Sequence, residues 1–163
     1  MRTEIFSVIY HSVAEPSVST DDVAAIVRVA QARNESINVT GILAFHNRQF
    51  MQLLEGNMPD VANVLQSIKR DPRHHSLRIL STQVYEKRQC EGWGLVSLPI
   101  TEITQDTMAA AEFGEARRFS VRFPVELSIE NKSFFSAFLA EEKEPIVVER
   151  PLKPKSNKPD PKI

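Results

Sequence analysis

The sequence predicts an α+β fold in which two helices pack on one face of a single β-sheet. Two observations lead to this fold class. Apolar residues alternate, or run continuously, in five short segments between residues 5 and 98, and two further segments there repeat apolar residues at helical spacing. The resulting order, βαββαββ, is typical of one sheet with both helices on the same face.

The first strand is predicted over residues 5–12, where the apolar side chains follow the two-residue period of a strand. One face of this strand carries Phe6, Val8, Tyr10 and Ser12. The segment that follows contains Pro16 and is predicted to be a loop.

Both helices have start and stop signals. The first begins at Ser19 or Thr20, because a hydroxyl there can cap free backbone N–H groups, and it ends near Asn34. The second begins at Pro59, which suits a first helical turn, and stops before Pro72. The apolar stripes that the two helices turn towards the sheet are Val23, Ile26, Val27 and Ala30, and Val61, Val64, Leu65 and Ile68.

The remaining strands are predicted over residues 39–45, 50–55, 77–85 and 92–98. A polar turn at residues 46–49 makes the second and third strands hairpin partners.

Beyond residue 100 the pattern changes. Residues 101–118 are helical in character, and residues 128–142 predict another helix with Ser128 as its cap. Five prolines fall within residues 145–163, a composition that cannot build a core. The predicted organisation is an α+β domain over 1–100, a helical extension over 101–143 and a disordered Pro/Lys-rich tail over 144–163.

Composition limits the classes of function. The chain has 163 residues and a net charge of -1, so no nucleic-acid footprint is evident. No apolar run reaches the ~18 residues of a membrane span. The single cysteine, Cys90, excludes an internal disulfide, and we expect a cytoplasmic protein. The histidines show no metal-ligand spacing.

An amide in an apolar strand is the most unusual feature of the sequence. Gln52 shares a face with Phe50 and Leu54, and a buried amide left unsatisfied costs roughly 1–3 kcal/mol. In a βαββ arrangement Tyr10 and Asn34 can converge on it between the two helices. Taken singly, the tyrosine is most simply a core residue and the asparagine a helix cap. Together the three side chains suggest a bound planar ligand with polar edges.

The same residues resemble the BLUF family, the blue-light sensors that use flavin. The resemblance covers residues 3–98, and the run Phe-x-Gln-x-Leu-Glu-Gly followed by Asp-x-Arg-His is highly specific. The matching residues are Tyr10-His-Ser12, Arg33-Asn34, Val39-Thr-Gly41, Phe50-Met-Gln-Leu-Leu-Glu-Gly56, Asp71-Pro-Arg-His74, Arg88 and Gly92-Trp93.

The resemblance implies a ferredoxin-like domain that holds FAD, or FMN, non-covalently between its two helices. Tyr10 would donate an electron and a proton to the photoexcited ring, and Gln52 would sit between Tyr10 and the N5/O4 edge of the flavin. Asn34 would bond the pyrimidine edge. The resemblance further implies cofactor contacts for Arg33, Arg73 and His74.

For signalling, the resemblance implies a relay through Trp93. Leu95 departs from the family, where methionine is common at this position. Leucine cannot accept a hydrogen bond, so we expect the signalling route and the lifetime of the lit state to differ, while flavin binding is kept.

The sequence therefore predicts a blue-light photoreceptor without an attached enzyme, which signals to a protein partner or through a homo-oligomer. The C-terminal helices are expected on the other face of the sheet, as transmitters. The alternative is a ferredoxin-like module for another ligand, or a flavin-dependent enzyme. No acid–base pair or nicotinamide fingerprint favours an enzyme.

Overall fold

The computed structural model describes residues 4–92, 94–97, 100–103, 118–121 and 127–140, and these form one main sheet, a small second sheet and three helices. Trp93, residues 104–117 and the predicted tail lie outside this part of the chain. The elements are β1 (Ile5–Ala14), α1 (Thr20–Ser36), β2 (Thr40–His46), β3 (Gln49–Gly56), α2 (Met58–Lys69), β4 (His74–Tyr85), β5 (Val96–Ser97), β6 (Ile100–Ile103), β7 (Arg118–Val121) and α3 (Ile129–Ala140).

The main sheet has the strand order β4-β1-β3-β2-β5. Neighbouring strands are antiparallel except β2 and β5, which pair in parallel. The first four strands and two helices thus confirm the predicted ferredoxin-like α+β fold. Because β1 and β3 lie side by side at the centre, Tyr10 is the register partner of Gln52.

The helix starts predicted from the sequence are confirmed. Ser19 caps α1 through a capping box, in which Asp22 N donates to Ser19 Oγ (3.2 Å) and Ser19 N donates to Asp22 Oδ2 (2.8 Å). Pro59 lies in the first turn of α2.

The two helices share one face of the sheet. Val61 and Val64 of α2 pack with Val8, Tyr10 and Leu54. Val23 of α1 belongs to a neighbouring cluster on the same face. The site-bearing side chains are therefore enclosed between α1, α2 and the sheet, as the sequence predicts.

The opposite face is covered by α3. Phe135, Phe138 and Leu139 pack against residues such as Ile9 and Leu53, which alternate with the residues facing α1 and α2. Ser128 caps α3 by accepting from Asn131 N (3.2 Å). The predicted helix, its cap and its face of the sheet are all confirmed.

The helix predicted over residues 101–118 is wrong at both of its ends. Ile100–Ile103 and Arg118–Val121 are instead antiparallel strands that pair with each other. Three of the four residues in the first strand, Ile-Thr-Glu-Ile, are β-branched, which suits a strand. The helical pattern rested on residues 108–113, which lie outside the described part of the chain.

None of the helices in the described part of the chain is long and apolar enough to cross a membrane.

Candidate functional site

A cavity opens between α1, α2 and the sheet. The space between these elements is about 630 Å³ when it is counted out to the open solvent at its mouth. The polar residues of its lining are Tyr10, Ser12, Arg33, Gln52, Ser67, Asp71, Arg73 and His74, and the apolar ones are Ile26, Val29, Ala30, Leu43, Phe50, Ile68 and Leu95.

Tyr10 and Gln52 lie at the floor of the cavity on adjacent central strands. The Tyr10 hydroxyl donates a hydrogen bond to Gln52 Oε1, and both side chains are buried. Burial raises the pKa of Tyr10 well above its ordinary value, an effect that the nearby Arg33 guanidinium partly opposes. The phenol is therefore neutral at physiological pH and holds the proton that it shares with the amide.

Asn34 occupies a different position from the one expected. Its side chain is fully buried at the end of α1, but it does not line the cavity. Asn34 Nδ2 donates to Gly94 O (3.0 Å), and Asn34 Oδ1 accepts from Arg33 Nε (3.3 Å). In this arrangement Asn34 joins α1 to the segment that carries Leu95, while Arg33 faces the cavity.

Arg73 and His74 line the end of the cavity beyond α2. Arg73 is paired with Asp71 (2.5 Å), and the hydrogen bonds from Arg73 lower the pKa of that carboxyl. The His74 Nε2 atom donates to Ile68 O (2.7 Å), so the ring is held against the end of α2. Both predicted residues therefore reach the cavity.

Two buried polar atoms in the lining have no hydrogen-bond partner: Ser12 Oγ and His74 Nδ1. A serine hydroxyl both donates and accepts, and a neutral imidazole that donates through Nε2 is left with Nδ1 as an acceptor. Each such atom costs about 1–3 kcal/mol when unsatisfied, so their presence fits a ligand with polar groups of its own. The donor and acceptor set suits a flavin.

Ser12 is a site residue that the sequence did not single out. It lies two residues after Tyr10, on the same face of β1, and its side chain is fully buried. The two-residue strand period was the signal that could have placed it in the site. The resemblance includes Ser12 within the Tyr10-His-Ser12 match but assigns it no role.

The predicted relay residues are only partly described. Leu95 is buried and contributes an apolar wall to the cavity. Trp93 lies outside the described residues, so the structure reports nothing on its predicted role.

Comparison with known proteins gives a match to a family model over residues 5–96. The family is BLUF, described as sensors of blue-light using FAD.

Relatives of known function share this region. The "Photoactivated adenylate cyclase subunit beta" of Euglena longa is 34% identical over 89 residues, which are 54% of this chain and 10% of the relative. The "Blue light- and temperature-regulated antirepressor BluF" of Escherichia coli strain K12 is 35% identical over 71 residues, which are 44% of this chain and 18% of the relative. The chain thus matches only a small part of each of these proteins.

Solved structures agree with the family match. BlrB, a BLUF protein in its dark state, superimposes with a TM-score of 0.56 and 25% identity over 60% of this chain and 74% of its own. BlrP1 of Klebsiella pneumoniae, whose structure was solved with FMN and cyclic diGMP, superimposes with a TM-score of 0.55 and 32% identity. That match covers 58% of this chain and 25% of BlrP1.

Proposed function

Because the chain belongs to the BLUF family of flavin-binding blue-light sensors, we propose that the Tyr10–Gln52 hydrogen bond is its light-driven switch. The observation that carries the proposal is the pairing of a buried, neutral phenol with a buried amide at the floor of the cavity between α1, α2 and the sheet. An amide presents a donor at one end and an acceptor at the other, so turning it over exchanges the two.

Residues from four elements would hold the flavin. Ser12 and His74 offer the unsatisfied polar atoms, Gln52 offers the Nε2 end of its amide, and Arg33 supplies a positive charge. Arg73 lies at the same end as His74, although its guanidinium is already paired with Asp71. Asn34 would act on the ring only after leaving Gly94 O, so in this arrangement it is a positioning residue.

When bound, the flavin absorbs blue light and becomes a strong oxidant of a nearby phenol. The phenol of Tyr10 would supply the electron, and its proton would pass to Gln52 Oε1, the atom to which the hydroxyl already donates. The electron and the proton would both return to Tyr10, so nothing is consumed. An amide that has turned over presents Nε2 where Oε1 had been, and the altered hydrogen bonds of Gln52 would be the signal.

Tyr10→Phe tests the switch directly. The variant loses the hydroxyl that donates to Gln52, so we expect it to bind FAD and to lose the light-induced red shift of the flavin absorption completely. Gln52→Leu is expected to behave in the same way. Absorption spectra of FAD-loaded protein in the dark and under blue light measure the outcome.

The chain offers a matched control in its only other tyrosine. The Tyr85 hydroxyl lies on the opposite side of the sheet, 3.4 Å from Ser128 Oγ. Tyr85→Phe is expected to keep the full red shift. A normal shift in Tyr10→Phe would show that another residue provides the switch.

We further propose that the output is a protein contact, with a downstream partner or a second copy of the chain, and that the chain turns over no substrate. The match covers only 10% of the length of the cyclase relative, so the rest of that protein has no counterpart in the matched region. Within the described residues there is no group of three or more metal-ligating side chains. A single cysteine, buried and reduced, fits a protein that works in the cytoplasm. FAD and FMN both suit the site.

A further inference from the structure

Glu55 carries a fully buried carboxylate three residues beyond Gln52 on β3, facing the α3 side of the sheet. The carboxylate accepts from Cys90 N (2.5 Å) and Gln89 N (3.1 Å), and from Thr40 Oγ1 (3.2 Å). Two of these three donors are backbone groups of the loop after β4. The strand that carries Gln52, β3, therefore holds this loop through the loop's backbone N–H groups.

The loop is held from a second side by Arg88. Its guanidinium donates to Glu55 O (3.0 Å) and to Asn38 O (2.7 Å). Because both acceptors are backbone carbonyls, the guanidinium joins the loop to the end of β3 and to the turn before β2. The loop is therefore hydrogen-bonded to both elements.

Gln89 connects the same loop to α3. Its side-chain Oε1 accepts from Ser128 N (2.7 Å) and from Asn131 Nδ2 (3.1 Å). Ser128 is the cap of α3, and Asn131 lies in its first turn. Gln89 thus bonds β3 through its backbone N–H and the start of α3 through its side chain.

The far end of the loop segment reaches the cavity. Gly94 O is bonded by Asn34 Nδ2, and Leu95 is part of the cavity wall. A change in the hydrogen bonds of Gln52 can act on Gln89 along β3 through Glu55, whose side chain accepts from Gln89 N.

The Gln89 side chain is itself incompletely bonded. Its Nε2 atom is buried and has no hydrogen-bond partner, whereas Oε1 has two. An unsatisfied buried donor destabilises the present arrangement of the amide. A second arrangement, in which the amide makes different hydrogen bonds, is therefore closer in free energy. A residue that switches between two arrangements is expected to have this property.

Other attachments of α3 have a different character. Gln83 Nε2 on β4 donates to Glu130 Oε1 (3.2 Å), but all of these groups are exposed, and exposed polar contacts contribute little. Phe138 packs edge-to-face on His11 (6.0 Å) at the other end of the helix. Among the described contacts, only Gln89 bonds both the start of α3 and the buried side chain of Glu55 on β3.

We propose that Gln89 is a positioning residue for the light response, which transmits the rearrangement at Gln52 to the first turn of α3. This proposal rests on the proposed Tyr10–Gln52 switch and adds the route by which the signal leaves the flavin site. Light changes how the Gln89 amide holds Ser128 and Asn131, and the start of α3 loosens or tightens in consequence.

Hydrogen exchange of the full chain loaded with FAD, in the dark and under blue light, tests this route. In the wild type we expect the amide exchange of residues 128–132 to change about threefold on illumination, because local opening of the first turn of α3 sets the exchange rate there. Gln89→Met keeps the length of the side chain and removes both acceptor bonds. It is expected to keep the red shift of the flavin and to lose the exchange difference.

Two further variants give the matched controls. Gln83→Met makes the same substitution at the other glutamine that contacts α3, and it is expected to keep both the red shift and the exchange difference. Gln89→Glu restores an acceptor oxygen at the helix N-terminus, where a negative charge is favourable, and it is expected to restore the difference. If Gln89→Met does not fold, Asn131→Leu removes a donor of the same joint from the α3 side.

The possible failures are distinguishable. If the wild type shows no red shift, the proposed switch is wrong. If the wild type shows the shift but no exchange difference in α3, or if Gln89→Met keeps the difference, the route through Gln89 is wrong. Equal losses in Gln89→Met and Gln83→Met would show a general weakening of α3 packing and would also overturn the route.

Discussion

Two groups of buried polar side chains, on opposite faces of the central sheet, differ in how they are satisfied. On the α1–α2 face, Ser12 Oγ and His74 Nδ1 are buried without a partner beside the cavity. On the α3 face, the carboxyl group of Glu55 is equally buried yet accepts three hydrogen bonds. Unsatisfied polar atoms beside a cavity fit a ligand that completes them, whereas the fully bonded carboxyl group holds structure.

The comparison assigns different roles to residues that look similar in sequence. Glu55 belongs to the same short strand as Gln52, and both are polar residues in an apolar run. Gln52 faces the cavity and accepts a hydrogen bond from Tyr10. Glu55 faces away from the cavity and accepts hydrogen bonds from the loop after β4. Because side chains alternate along a strand, the proposed switch residue and the structural residue lie on opposite faces although they are three positions apart.

The largest expected effect is on stability, at Glu55. Glu55→Ala leaves three donors without their acceptor inside the protein, so we expect a loss of about 3 kcal/mol in the free energy of unfolding. Urea denaturation measures it. Glu91→Ala, an exposed carboxylate in the same loop, is the control and is expected to change the free energy by less than about 0.5 kcal/mol. A loss below about 1 kcal/mol at Glu55 would remove its role as an anchor.

A smaller effect is expected at Ser12, and on ligand binding rather than on stability. The Ser12 hydroxyl has no partner within the protein, so Ser12→Ala should leave the stability of the flavin-free protein nearly unchanged. We expect its affinity for FMN to fall about tenfold, the worth of one hydrogen bond of about 1.4 kcal/mol. Quenching of FMN fluorescence on titration measures the affinity.

Ser7→Ala provides the counterpart on the other face of β1. Ser7 is also buried, but it points away from the cavity. Its substitution is expected to leave the affinity for FMN unchanged. Equal affinities for Ser12→Ala and the wild type would mean that the hydroxyl of Ser12 does not meet the cofactor.

The smallest effect is expected from pH. Burial raises the pKa of Tyr10 in the folded protein, so between its ordinary pKa near 10 and the raised value the unfolded chain releases a proton that the folded chain keeps. The contribution of Tyr10 is therefore intact below pH 10 and is lost as the pH rises. We expect a loss of about 1 kcal/mol between pH 10 and pH 11.

Tyr10→Phe removes this titrating group and is the reference for the measurement. The difference in urea midpoint between the wild type and Tyr10→Phe should decrease above pH 10. A difference that stays constant up to pH 11 would show that the phenol of Tyr10 is accessible to hydroxide in the folded state.

Local pattern was sufficient for much of the fold. The alternation of β1, the capping box at Ser19 and the proline in the first turn of α2 are short-range features, and the structure confirms all three. They can be predicted because each depends on neighbours within a few residues. The helix expected over residues 101–118 failed where its ends pair as strands, since strand pairing joins residues far apart in the chain.

For this protein, the sequence determined the fold class, the family and the central pair Tyr10 and Gln52, because residue type and spacing identify them. Only the tertiary structure decided which polar groups are satisfied. Hydrogen bonds such as that from Asn34 to Gly94, or those from α3 to Gln89, join residues about forty to sixty positions apart. Whether a buried polar atom meets a protein partner or a cavity depends on how distant segments pack, which no local pattern contains.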